Sequence, residues 1–165
     1  KMAKDFGVID FLSKPIDWKI LSKMLAKYKS VTKSRHILVV DDDSSTRIIL
    51  RKMLIKDGWR VEEAKHGKDA VKCIENKKPE LILLDLLMPV MDGFEFLHKI
   101  KGMDKWQNIP IIVITSKDLT TSDYSFLTAN VDRIIQKGKY TRKELIKQID
   151  TAIKESNLQM YMKGK

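Results

Sequence analysis

The chain has 165 residues, 43% of them hydrophobic, and its 32 Lys and Arg against 22 Asp and Glu give a formal net charge of +10. That is room for one domain of ordinary size plus an appendage of about 30 residues, and without a run near the ~18 apolar residues of a membrane helix it argues against membrane contact by this segment. The basic excess is mostly lysine spread over solvent-facing helical positions with no interleaved aromatics, so no nucleic-acid surface is expected, and the charge is left to steer an acidic partner.

Residues 10–17, "DFLSKPID", read as a short apolar strand ending at Lys14, with Pro15 opening a helix that carries Leu21, Met24, Leu25 and Tyr28 on one face. No secretory leader is expected, because Asp10 and Lys14 break the first apolar cluster. From His36 onward, strands and helices alternate. "HILVV" (36–40) is a continuous apolar run of the kind buried on both faces of a sheet. It ends in "DDDSST", where Asp43 or Ser44 can cap a helix with Ile49, Leu50, Met53 and Leu54 inward, stopping at Asp57-Gly58. "WRVEEA" (59–64) alternates as a half-exposed strand. Residues 67–77 predict a helix with Ala70, Val71 and Ile74 inward and the lone Cys73 beside them; one cysteine allows no internal disulfide and fits a reducing cytoplasm.

"ELILLD" (80–85) is a second continuous strand, "MPVMDG" (88–93) a loop, and the helix after it carries Phe94, Leu97 and Ile100. Pro110 introduces the strand "IIVITS" (111–116). The helix expected over 118–129 is diluted by Thr120, Thr121 and Ser122. "DRIIQK" (132–137) is a short strand, and "TRKE" (141–144) has the form of a capping box ahead of Leu145, Ile149 and Ile153. His36, His66 and His98 open a strand, sit in a turn and lie on a helix, and read as structural; Trp59 and Trp106 read as packing residues.

Five strands each followed by a helix predict a doubly wound α/β parallel sheet with helices on both faces. Chemistry in such sheets gathers at the carboxyl ends of the strands. Those ends carry Asp41 and Asp42, Asp85, Thr115 and Lys137. Two like unit charges at 4 Å cost about 4 kcal/mol at an effective dielectric of 20. Three converging carboxylates therefore call for a cation, and Mg²⁺, held by a few carboxylates with its waters retained, fits best. No glycine-rich nucleotide loop is present, so no ATP site is expected.

"ILVVDDD", "LILLDLLMPVMDG", "IIVITS" and "IIQK", in this order and at these separations, resemble the receiver domain of two-component response regulators over about residues 35–155. The resemblance implies a flavodoxin-like sheet of strand order 2-1-3-4-5. It also implies Asp85 as phosphoacceptor, Mg²⁺ on Asp41, Asp42, Asp85 and the Leu87 carbonyl, and phosphoryl contacts from Thr115 and Lys137. The implied partner is a histidine kinase or phosphotransfer domain. Such a domain assists its own phosphorylation and dephosphorylation and switches protein contacts. Two positions depart from the family: Gly138 stands where a proline usually follows the lysine, and Ile134 where an aromatic usually precedes it.

"RIIQKGKY…ELI" is similar to the ending of carboxyl-terminal receivers of hybrid sensor histidine kinases, whose parent chain could be membrane-anchored. With Lys14 set against Lys137, Phe11 and Pro15 supply the aromatic and proline that the later stretch lacks. Residues 1–30 are thus expected to be the last strand and helix of a preceding receiver, 31–35 a linker, 36–155 the receiver and 156–165 a tail. A lone strand and helix make no core, so the appendage is expected to pack on this domain or on another chain; self-association could also use the last helices. Two rival readings are a response regulator acting through protein contacts alone and a metal-dependent phosphohydrolase. The second needs an aspartate two residues after the nucleophile, where Leu87 stands.

Overall fold

The computed structural model describes residues 35–163. The strand and helix expected within residues 1–30, and the linker up to residue 34, lie outside the described residues. Five parallel strands, β1 (His36–Val40), β2 (Arg60–Ala64), β3 (Leu81–Leu84), β4 (Ile111–Thr115) and β5 (Arg133–Gln136), form one sheet in the order β2-β1-β3-β4-β5. Five helices alternate with them: α1 (Ser44–Lys56), α2 (Gly67–Asn76), α3 (Gly93–Lys101), α4 (Thr121–Asn130) and α5 (Arg142–Lys163). This is the expected doubly wound, flavodoxin-like topology. Among the described residues no helix is long and apolar enough to cross a membrane.

The period-2 alternation of strand side chains divides the core in two. Leu38 and Val40 of β1, Ile82 and Leu84 of β3, and Ile111 and Val113 of β4 pack with Ala70, Phe96, Leu97, Ile100 and Leu127 on one face. Ile37, Val39, Leu81, Leu83, Ile112 and Ile114 pack on the other with Leu50 and Leu54 of α1 and Leu145 and Ile149 of α5. β1, β3 and β4 are fully buried, which is why they read as unbroken apolar runs. β2 and β5 are the edges, and their exposed or half-buried positions explain the weaker pattern there.

Four details differ from the sequence reading. Ile49 faces solvent, and the buried positions of α1 are Arg47, Leu50 and Leu54. Phe96 is the fully buried aromatic of α3, whereas Phe94 is half-buried at the rim of the core, 6.0 Å from the Phe126 ring. Thr120 does not weaken α4 but starts it: its hydroxyl accepts from Asp123 N–H, and the Asp123 carboxylate accepts from Thr120 N–H at 3.1 Å. Finally, α5 continues past residue 155 to Lys163. The Thr141–Glu144 capping box forms as expected, with Thr141 N–H 2.7 Å from the Glu144 carboxylate.

Candidate functional site

Neighbouring ladders bring the strand ends together. Asp85 N–H donates to the Val40 carbonyl at 2.9 Å, so Asp85 begins where β1 ends, and Lys137 N–H donates to the Thr115 carbonyl at 2.9 Å. Strand order reverses between β1 and β3, and a doubly wound sheet opens its cleft at that reversal. Carboxylate oxygens of Asp41, Asp42 and Asp85 there lie within 4.8 Å of one another. Asp41 and Asp85 are buried, at 3% and 4% exposure, while Asp42 faces solvent.

Lys137 reaches into this cluster from the end of β5. Its Nζ lies 2.9 Å from Asp41 Oδ2 and 3.4 Å from Asp85 Oδ2. Burial by itself pulls the Lys137 ammonium down, but the hydrogen bond to Asp41 and the charge of Asp85 outweigh it and hold it above the usual lysine value. Burial pushes the Asp41 carboxyl up despite the Asp43 N–H and the Lys137 ammonium, both of which favour its charged form. Three carboxylates against one ammonium leave two negative charges to be met, the charge of one hard divalent cation. The all-oxygen donor set fits such an ion.

Both buried carboxylates are fixed by backbone. Asp41 Oδ1 accepts from Asp43 N–H at 2.9 Å, and Asp85 Oδ1 accepts from Leu86 N–H at 2.8 Å. Asp43 itself caps α1, and hydroxyl donations from Thr46 (2.6 Å) and Ser45 (2.9 Å) hold its carboxyl below the usual range. The buried Thr115 hydroxyl accepts from Lys117 N–H at 3.1 Å, leaving its own proton free to donate. Beside the cluster, Asp42, Leu86, Leu87, Met88 and Lys117 help line an open cleft of about 300 Å³. The Leu87 side chain is half exposed at its mouth.

The loop behind Asp85 is tightly seated. Gly93 N–H donates to the Leu86 carbonyl at 3.1 Å, and a Cβ on Gly93 would lie 2.7 Å from both the Asp85 carbonyl oxygen and Leu86 Cα. Asp92 caps α3 through a capping box with Glu95. At the other side of the rim, Gly138 has φ +79°, a left-handed conformation that proline's ring forbids. The departure from the family at this position is thus built into the turn after β5.

Three residues near the site carried no signal in the motif reading. Arg47 is buried under the rim, where Nη1 donates to the Asp41 carbonyl at 2.7 Å and Nε pairs with Glu63 at 3.0 Å. Its place at 47 in the 47, 50, 54 stripe was the available clue, a lone charge on a core-facing helix position. Lys117 lines the cleft and pairs with Asp123 at 3.1 Å. Half-buried Tyr140 has its hydroxyl pushed up by burial, partly offset by the Lys137 charge nearby.

Residues 37–150 match the response regulator receiver domain family. The chain belongs to that family. The receiver is 36% identical over 101 residues to the response regulator MprA of a Mycobacterium species, a stretch covering 61% of this chain and 43% of that relative. Its fold matches the receiver domain of a Pseudomonas aeruginosa sensor histidine kinase solved with a magnesium ion in the active-site cleft. The two are 27% identical, with a TM-score of 0.65 over 73% of this chain and 98% of that one. The receiver domain of a Syntrophus aciditrophicus signal transduction histidine kinase aligns with TM-score 0.65 and 26% identity, over 73% of this chain and 90% of that one. The receiver spans less than half the length of MprA, so the whole-protein activity of that relative is not carried over.

Proposed function

We propose that Asp85 accepts a phosphoryl group from a phosphohistidine on a histidine kinase or phosphotransfer domain, and that the resulting acyl phosphate switches the receiver's protein contacts. The observation that carries this reading is the Lys137 ammonium resting on Asp41 at 2.9 Å and on Asp85 at 3.4 Å within a cluster of three carboxylates. In the transfer, an Asp85 oxygen bonds to phosphorus as the P–N bond to the donor imidazole breaks, and the bonding pair returns to the imidazole nitrogen. Asp41, Asp42, Asp85 and the Leu87 carbonyl would hold Mg²⁺, which when bound neutralises charge on the transferring oxygens. Lys137 adds a fixed point charge to the same oxygens. Leu86 N–H holds the Asp85 carboxylate in one rotation, so little reorganisation is needed. The Thr115 hydroxyl, with its proton uncommitted, turns to donate to a phosphoryl oxygen.

The receiver histidine-kinase neighbours support a finer reading, in which this domain is the carboxyl-terminal receiver of a cytoplasmic hybrid-kinase segment, taking its phosphoryl group from within that relay. The test of the chemistry is direct. With Mg²⁺ and radiolabelled acetyl phosphate or a phosphorylated kinase, the chain gains one alkali-labile label, and Asp85→Asn gains none. Label that resists alkali, or that persists in Asp85→Asn, would overturn the assignment.

A further inference from the structure

The end of the sheet opposite the acidic rim holds a cavity that the phosphoryl chemistry does not use. Its volume is about 260 Å³, and it lies among the end of α3, the segment before β4, the turn from α4 into β5, and α5. Ser156 and Gln159, on the part of α5 that runs past residue 155, form one wall. The buried side chains of Ile109 and Val131 supply an apolar lining.

The charged lining is unequal, with Asp132 and Glu155 set against Lys101. Asp132 is clamped to the start of β4: its Oδ2 accepts from Ile111 N–H at 2.7 Å, and its own N–H donates to the Ile111 carbonyl at 2.8 Å. The Lys101 ammonium donates to the Gln107 carbonyl at 2.9 Å. Glu155 is 4% exposed, and its Oε2 accepts from Arg133 Nη2 at 3.1 Å, while its buried Oε1 has no hydrogen-bond partner among the described residues. A buried charged acceptor left unmet is costly and uncommon. Burial pushes the Asp132 carboxyl up despite Ile111 N–H and the Lys101 and Arg133 charges, and pushes Glu155 up despite Arg133. The domain's own cations therefore do not fully offset the burial of these two groups. One water occupies about 30 Å³, a small part of such a cavity.

We propose that this cavity binds a small organic monocation, a guanidinium or amidinium on a short aliphatic stem. Its N–H groups donate to Glu155 Oε1, its charge is set against Asp132 and Glu155, and its stem lies along Ile109 and Val131. A guanidinium suits the place better than an ammonium, because it is more weakly hydrated and gives up less on entering a half-enclosed site. The volume falls below the ~300 Å³ at which pockets for drug-sized ligands begin, so the stem is a few carbons long. Nothing in this binding requires a phosphoryl group on Asp85.

The test titrates the full chain with propylguanidinium chloride in the low millimolar range and follows the backbone amides by NMR. Sodium chloride at the same concentration is the reference. The expected result is saturable shifts at Ile111, Val131 and Ser156, with Leu86 at the rim unmoved. Glu155→Gln keeps an acceptor for Arg133 and removes the charge. Its affinity should fall about tenfold, the difference between a charge-assisted and a neutral hydrogen bond. Gln159→Trp, at an exposed position of the wall, fills the cavity without changing its charge and should abolish the shifts. Asp85→Asn should bind as the natural chain does, which separates this proposal from the assignment of the phosphoacceptor. Absence of saturable shifts, shifts matched by sodium chloride, or unchanged affinity in either folded variant would overturn the proposal.

Discussion

Replacing Gly93 with alanine perturbs the loop that follows Asp85 without touching any charged group. The added Cβ would sit 2.7 Å from the Asp85 carbonyl oxygen and 2.7 Å from Leu86 Cα. Both atoms are backbone, so no flexible side chain can yield, and relief requires the loop and the start of α3 to move apart by several tenths of an ångström. Overpacking of this kind costs about 1–3 kcal/mol, and alanine's better helix propensity returns at most about 1 kcal/mol. The net loss of about 1–2 kcal/mol should lower the urea midpoint by roughly 0.5–1 M. Since the displaced atoms belong to Asp85 and its neighbour, the rate of labelling by acetyl phosphate should fall by about tenfold as the carboxylate loses its alignment. Gly102→Ala is the control: that residue has φ −82° at the end of α3, and its nearest contact is the His98 carbonyl at 3.3 Å. If Gly93→Ala unfolds at the same midpoint as Gly102→Ala and labels at the natural rate, the close-approach argument is wrong.

Restoring the family's proline through Gly138→Pro should destabilise the receiver, because φ +79° is closed to a pyrrolidine ring. Gly138→Ala, with nothing within 4 Å of its Cβ, should lose only about 1–2 kcal/mol of stability in urea unfolding, the cost of the backbone strain it introduces. Arg133 and Glu155 form a pair 3.1 Å apart, with side chains 2% and 4% exposed. Glu155→Ala should cost about 1–3 kcal/mol, because Arg133 loses one charged partner but keeps the Gln148 side chain at 2.9 Å and the Asp132 carbonyl at 2.6 Å, and Arg133→Met/Glu155→Leu should recover much of that in the same denaturation assay; equal losses in both variants would contradict this. Burial, reinforced by the Glu62 charge, pushes the Cys73 thiol up to about 11. Both effects disfavour the thiolate, so iodoacetamide at pH 8 should modify the folded protein about a hundredfold more slowly than the urea-unfolded chain, with the rate still rising about tenfold per pH unit beyond pH 9. A plateau near pH 8.5 would mean an open thiol.

The fold was legible where burial is two-sided. Apolar runs such as 37–40 and 111–114 contain no polar residue because helices cover both faces of β1 and β4. Legibility failed where one residue type serves two purposes. Thr120 looked like a weak helix former, yet a hydroxyl at that point satisfies the Asp123 N–H and so begins α4. Ile49 looked like core because α1 is apolar on both sides, and periodicity alone does not say which side meets the sheet when the stripe that does includes an arginine.

The rim was legible for a topological reason: in a parallel sheet, every strand's carboxyl end faces the same way, so residues at 41, 42, 85, 115 and 137 share one edge whatever their sequence separation. Its supports were not, because they act through partners that no local pattern names. Arg47 finds Glu63 across the β2 edge, and Lys117 finds Asp123 at the start of α4. The same distinction separates the two glycines beside the site. Gly93 is required by atoms that approach from the Asp85 loop, a tertiary fact. Gly138 is required by its own backbone angle in a turn with open space around it, so exchanging it for the family's proline changes the turn rather than the packing. Together with the half-buried Ile134 in place of an aromatic, that turn alters the surface next to Lys137 while leaving the carboxylate cluster intact. Changes at these two positions should therefore move affinity for a phosphorylated kinase before they move the rate of labelling by acetyl phosphate, and measuring both in Ile134→Tyr separates output from chemistry.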